Sequence, residues 1–249
     1  MERVEYERMH ALEGRLWWYR GLHGLMADQV EPQGRRAGGP LLDAGCGTGG
    51  LLAALAQRWP QSRRLGLEYD GIAAGLAAEK SGAGVVVGTI TALPFASASL
   101  GAMVSADVLP HRLVDPAQAL KEAYRCLESG GILVLNLPAY GWMLSAHDRH
   151  VHTARRFTRR QAIGLVRAAG FEIQRATYWN CLLFPLMVLR RMLTRWSAAG
   201  SDVRPFPAPV DWLFGALVGV ERRLIGWGVS LPFGGSVLLV ARKGGVERA

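Results

Sequence analysis

Apolar positions along this chain fall into two rhythms. Short, nearly continuous apolar runs at 41–44, 64–68, 84–87, 102–105 and 131–136 have the length of buried strands. Between them lie stretches of helical spacing near 49–58, 71–80 and 116–128. Strands alternating with helices in this way predict parallel βαβ units in an α/β sheet. A further helix is expected over 157–169, with Thr158 as a good N-cap and Gly170 as C-cap, then strands at 171–178 and 236–241. Residues 1–30 read as helical, with Trp17-Trp18-Tyr19-Arg20 in their middle, and 33–40 as a glycine- and proline-bearing linker. The stretch 179–235 separates the last two strands. It holds two apolar runs, 181–189 and 210–220, joined by a loop with Pro205, Pro207 and Pro209.

The run Leu41-Leu42-Asp43-Ala44-Gly45-Cys46-Gly47-Thr48-Gly49-Gly50 is a strand entering a glycine-rich turn that opens onto a helix. A side chain at Gly45 or Gly47 would keep the backbone from closing on a bound nucleotide. The spacing of Gly45, Gly47 and Gly50 formally fits a dinucleotide fingerprint, with Glu68 about 20 residues on. Asp43 argues for a different ligand. A carboxylate there can face the ammonium of an amino-acid moiety, whereas it would repel a pyrophosphate.

Asp43-x-Gly45-x-Gly47-x-Gly49 resembles the cofactor loop of class I S-adenosylmethionine-dependent methyltransferases, and later landmarks follow that family's order. Arg64-Leu65-Gly66-Leu67-Glu68 resembles its second strand ending in an acid. Gly88-Thr89-Ile90-Thr91-Ala92-Leu93-Pro94-Phe95 resembles its "G-D-A-x-x-L-P-F" segment, and residues 102–109 its fourth strand and exit. Leu127-Glu128-Ser129-Gly130-Gly131 resembles its turn into a fifth strand. Trp17-Trp18-Tyr19, the segment from Pro138 through His147-Asp148 to Arg155-Arg156-Phe157-Thr158, and Leu231-Pro232-Phe233-Gly234-Gly235-Ser236 are similar to a bacterial, methyltransferase-domain-11-like subgroup. That subgroup has an aromatic N-terminal cap.

The resemblance implies a Rossmann-like seven-stranded fold, mostly parallel with strand seven antiparallel, carrying a helical cap and a helical insertion between strands six and seven. It implies S-adenosyl-L-methionine as cofactor, S-adenosyl-L-homocysteine as product, and methyl transfer as the reaction. By the same resemblance Asp43, Gly45, Cys46, Gly47 and Glu68 hold the cofactor, Glu68 through both ribose hydroxyls. Tyr69, Thr89 and Ile90 surround the adenosine and Ala106 lies near the methionine end. Three positions depart from the pattern: Thr89 and Pro110 replace acids, and Gly101 stands where an aspartate is common. A contact to the adenine amine then falls to the Thr89 hydroxyl or the backbone.

Methyl transfer from a sulfonium is an in-line displacement, so the protein supplies alignment and, for some acceptors, a base. His111, just past the fourth strand, is a candidate base. His147 and Asp148 form a second candidate, a histidine–carboxylate pair facing the acceptor, with Arg155 and Arg156 orienting the segment or binding an anion. The density of His147, Asp148, His150 and His152 suggests a metal, but no Cys or Glu completes a shell and none is assigned.

The 249 residues suffice for one domain with additions. The expected divisions are a cap and linker over 1–39, a cofactor-binding core over 40–178, the insertion over 179–235, and a last strand and tail over 236–249. Net charge is +9, but 41–140 is near neutral, whereas 141–200 has ten arginines against Asp148 and Glu172. That asymmetry points to an anionic acceptor, an acidic partner or an anionic membrane surface. Basic collars after both apolar runs make 181–195 and 210–223 candidates for a membrane surface, beside packing on the sheet, a homodimer face or a lid. The acceptor is expected to be a small or lipid-linked molecule methylated at oxygen or nitrogen. Charge confined to one arginine segment, with no RNA-binding signature, argues against nucleic acid. A degenerate methyltransferase fold acting as a scaffold, or a nucleic-acid methyltransferase, is the alternative. Three cysteines, a charged N-terminus without an apolar signal core, and no run of about 20 apolar residues predict a cytoplasmic protein, at most peripheral to the inner face of the membrane.

Overall fold

The structure, a computed structural model, describes residues 3–34, 39–145, 148, 152–194 and 206–245. Seven strands form one sheet in the order β3-β2-β1-β4-β5-β7-β6. They are β1 (Leu41–Ala44), β2 (Arg64–Glu68), β3 (Gly84–Val87), β4 (Leu100–Ala106), β5 (Leu127–Pro138), β6 (Phe171–Trp179) and β7 (Ser236–Lys243). The first five are parallel, and β7 runs antiparallel to both β5 and β6. The helices are α1 (Arg3–Leu12), α2 (Trp17–Gly34), α3 (Gly50–Arg58), α4 (Gly71–Ser81), α5 (Pro116–Cys126), α6 (Arg159–Ala168), α7 (Phe184–Thr194) and α8 (Ala208–Gly226).

The central strands are buried on both faces, as crossover helices require. Met103 and Leu133 point to one core, with Leu120 of α5 and Val166 of α6. Their neighbours Val104 and Val134 point to the other, with Leu25, Leu55, Trp179, Val218 and Ile225. This second core joins the cap helix α2 and the insertion helix α8 on a single sheet face. Trp17 N and the Arg20 guanidinium donate to Asp211 at 2.9 and 2.7 Å, Arg222 pairs with Asp28, and the Trp17 and Phe214 rings meet edge to face.

Local signals set the helix ends. The Asp70 carboxylate accepts from Ile72 N and Ala73 N to start α4, and Asp115 does the same for α5, which opens on Pro116. Thr158 and Gln161 form a reciprocal capping box for α6, and Gly170 follows that helix at φ 95°.

Three boundaries differ from expectation. The helix read over 1–30 is two helices broken at residues 13–16. α5 stops at Cys126 and β5 begins at once, because Leu127 pairs with Leu100 before a register shift between Leu127 and Ile132. The insertion helices run beyond their apolar stretches, to Thr194 and Gly226. Among the described residues no helix is long and apolar enough to cross a membrane.

Candidate functional site

The turn after β1 is closed by Gly45 N and Cys46 N, which both donate to Leu67 O. Two of its glycines are forced. Gly45 sits at φ 86° with Val108 Cγ2 2.2 Å from where a Cβ would lie, and Gly49 at φ 90° with the Ala77 backbone 2.7 Å away. The turn therefore packs against the exit of β4 on one side and α4 on the other.

Glu68, at the end of β2, is buried, and its carboxylate is shared. Oε1 accepts from the Tyr6 hydroxyl and Asp70 N, each at 3.1 Å, and Oε2 from Gly47 N at 2.9 Å. Burial and the adjacent Glu68 charge push the Tyr6 phenol up. Behind the turn, Glu13 accepts from Thr48 Oγ1 at 2.7 Å and from Lys80 Nζ at 2.5 Å, tying the end of α1 to α4.

Asp43 is different. It is 1% exposed, and neither carboxylate oxygen has a hydrogen-bond partner. Burial, then Glu68 and Glu13, hold its carboxyl well above the usual range. An orphaned acid beneath a glycine turn asks for a cationic or donor group.

One cavity of about 830 Å³ brings together Asp43, Gly45, Cys46, Gly47, Glu68, Tyr69, Thr89, Ile90, Ala106, His111 and Asp148. Tyr69 is 73% exposed at its rim, Ile90 is buried in its wall, and the Thr89 hydroxyl lies 2.9 Å from that of Thr91. His147 lies outside the described residues. The cavity continues past the turn to Trp18, Tyr19, Met143, Met187, Arg190, Arg191 and Phe206. Of the aromatic trio, Trp17 is buried against α8, while Trp18 stacks on Trp179 with centroids 6.2 Å apart.

The acceptor-side candidates have specific surroundings. His111 stacks on His152 at 5.6 Å, and burial, with His152 and Arg112 adding to it, lowers its pKa to about 4. It is a neutral imidazole at ordinary pH. Asp148, whose expected partner His147 lies outside the described residues, is held by Arg156, whose Nη2 and Nε lie 2.8 and 3.1 Å from Oδ1. Its Oδ2 accepts from Ser145 N and Oγ. Two strong partners leave this carboxylate as an anchor for the segment after β5. Arg155 completes the anchoring by donating to Val114 O.

Sequence reasoning did not single out Tyr6, Glu13, Asn136 or Asp107. Asp107 lies in the quoted exit of the fourth strand, four residues before His111, and the structure sets it in the cavity wall. The carboxylate oxygens of Asp43 and Glu68 around a glycine turn are an acceptor set that fits S-adenosylmethionine, whose ammonium suits the orphaned Asp43 and whose ribose diol suits Glu68.

Comparison with known proteins points the same way. Residues 42–135 match the methyltransferase domain family. A probable S-adenosylmethionine-dependent methyltransferase of Mycolicibacterium smegmatis is 31% identical over 147 residues, covering 56% of this chain and 54% of that protein. The chain thus spans about half the length of that relative. Among solved structures, geranyl diphosphate methyltransferase in complex with geranyl diphosphate and sinefungin has a TM-score of 0.60 at 18% identity, over 90% of this chain and 78% of that one. The cyclase SpnF has a TM-score of 0.60 at 22% identity, over 94% and 85%. Both share the fold.

Proposed function

On a chain whose residues 42–135 match the methyltransferase domain family, we propose that the cavity serves S-adenosylmethionine-dependent methyl transfer to an oxygen or nitrogen of a small or lipid-linked acceptor. The observation that carries this is the unpartnered Asp43 carboxylate beneath the turn, with Glu68 at the cavity's edge. Glu68 takes the ribose hydroxyls and Asp43 the ammonium. Gly45, Cys46 and Gly47 offer backbone, Tyr69, Thr89 and Ile90 border the adenosine, and Ala106 faces the methionine end. When bound, the cofactor supplies an electrophilic methyl group on a sulfonium. The chain's part is to align the acceptor and keep water out of the aromatic end.

That end is apolar at Trp18, Met143, Met187 and Phe206 and basic at Arg156, Arg190 and Arg191. Geranyl diphosphate, held by a protein of the same fold, is an apolar chain on an anionic head. An acceptor of that type would suit this lining. We assign acceptor selection to residues 1–39 and 179–235 together with the acceptor-side residues of 40–178, cofactor binding to the rest of 40–178, and sheet closure to 236–249. The stretches 181–195 and 210–223 are kept as a candidate membrane surface, with the protein peripheral to the inner face of a bilayer in that reading. His111, His147 and Asp148 remain the acceptor-side residues of this reading.

A binding protein without methyl transfer is the second reading. It is favoured by Thr89 and Pro110 in place of acids, and by a cyclase on the same fold. Calorimetric titration with S-adenosylhomocysteine, with NAD as control and Glu68→Ala beside the parent, tests the cofactor. Tight one-site binding to the first compound alone, weakened in the variant, is expected, and binding of NAD instead would overturn it. Transfer of a tritiated methyl group into lipid or small-molecule extract separates enzyme from binding protein.

A further inference from the structure

We propose that Asp107 is a catalytic residue that takes the acceptor's proton, and that Asn136 and Trp179 position it. The inference rests on the methyltransferase reading of the cavity and adds the base which that reading lacks.

β4 ends at Ala106, and the next residue turns sharply. Asp107 adopts φ 57°, a left-handed conformation uncommon outside glycine, and its N–H donates to Asn136 O at 3.0 Å. The turn sends its carboxylate into the cavity wall. There Asn136 Nδ2 donates to Oδ1 at 2.9 Å, while Asn136 Oδ1 accepts from Trp179 Nε1 at 2.7 Å. An indole N–H can only donate, so the amide has one orientation, oxygen toward Trp179 and NH₂ toward Asp107. Asn136 and Trp179 are both fully buried, in strands otherwise filled with Val134, Leu135, Leu137 and Tyr178. A buried asparagine in such a strand is costly unless both ends are satisfied. Here they are, and the result is a carboxylate with a fixed aim. Among the described residues Oδ2 accepts no hydrogen bond.

The electrostatics match the task. Burial pushes the Asp107 carboxyl up to about 7, against the pull of Arg156 and Asn136 and with a smaller push from Asp148. His111, at about 4, is too weak a base near neutral pH. The proton of an acceptor O–H or N–H passes to Oδ2, leaving a neutral acid that returns it to solvent at the cavity mouth.

The test compares the parent with Asp107→Asn and Trp179→Phe. Three readouts are used: calorimetry with S-adenosylhomocysteine, tritiated-methyl incorporation into extract, and carboxyl NMR titration. For Asp107→Asn, incorporation should fall about 100-fold or more, with cofactor-product affinity within about threefold of the parent. A carboxyl resonance titrating near pH 7 should vanish. In Trp179→Phe that resonance should survive with a raised midpoint, because the freed amide no longer supports the charged form. Undiminished incorporation by Asp107→Asn, or titration of Asp107 below pH 5, overturns the proposal. So does a tenfold loss of homocysteine-compound affinity, which would put Asp107 on the cofactor side. A parent that binds none of that compound overturns the methyltransferase reading instead.

Discussion

The Tyr6 hydroxyl donates to Glu68 Oε1 across 3.1 Å, joining the first helix to the acid at the end of β2. With Asp70 N and Gly47 N, it makes three donors on one carboxylate. A carboxylate offers about four acceptor positions, so a ribose diol needs one more than remains. Tyr6 must give way. Tyr6→Phe should therefore raise affinity for S-adenosylhomocysteine by about 1 kcal/mol, roughly fivefold, and Glu68→Ala should lower it by about 1–3 kcal/mol. Calorimetry measures both, and a Tyr6→Phe variant that binds more weakly would show that the phenol is itself a ligand contact.

Asp43 is a buried acid without a partner, so the free protein should be more stable without its charge. Asp43→Asn is expected to raise the melting temperature by about 2–4 °C per kcal/mol recovered, while weakening S-adenosylhomocysteine about tenfold or more. Calorimetry and thermal melts on one preparation would check the trade. A variant that loses stability would mean that Asp43 has a partner in solution.

Stability should depend on pH through Asp107 and His23. The Asp107 carboxyl is raised to about 7 when folded, so between roughly pH 4 and 7 the native state keeps a proton that the unfolded chain releases. Its contribution is therefore lost as pH rises through that window. His23 runs the other way. Burial, helped by Lys80, lowers its pKa to about 4 from an ordinary 6.5, so stability is lost as pH falls between those values. Melting curves of the parent and Asp107→Asn should coincide near pH 4, with the variant higher by roughly 5 °C at pH 8. Equal melting temperatures at pH 8 would place the Asp107 pKa in the ordinary range.

Leu186, Leu189 and Leu193 are half to three-quarters exposed at i, i+3 and i+7 on α7, and Arg190 and Arg191 on the same helix line the cavity. If this outward stripe meets a bilayer, the protein should co-sediment with phosphatidylglycerol vesicles at low salt and be released near 1 M salt, where the Debye length is about 3 Å. Leu189→Glu should abolish sedimentation without changing the melting temperature. Absence of binding at low salt would leave the stripe as a lid or dimer face.

What was legible in the sequence was local. The glycine turn, the strand runs and the Thr158 cap are decided within a few residues, and they stand where the pattern puts them. The start of β5 was hidden because Glu128-Ser129-Gly130 reads as a turn, while its strand character comes from pairing with β4. Asp107 was hidden for the same reason on a larger scale. Its setting is made by Asn136 and Trp179, brought together by three strands of one sheet. That Arg156, eight residues on, holds the Asp148 carboxylate was likewise not legible from its immediate neighbours. Nothing local in α1 announces that Tyr6 reaches Glu68.

Asp211 gives one oxygen to the backbone of Trp17 and the other to Arg20, so the start of α2 and the start of α8 share a single side chain. This has a consequence for inheritance and for engineering. An insertion grafted alone from a relative would arrive without its counterpart, leaving a backbone N–H and a guanidinium without their acceptor and Trp17 without the Phe214 ring. The two segments that border the aromatic end must be exchanged together, as one cassette split across the chain. The half between them that holds the glycine turn can pass unaltered only with a cap that keeps Tyr6 against Glu68 and Glu13 against Thr48 and Lys80.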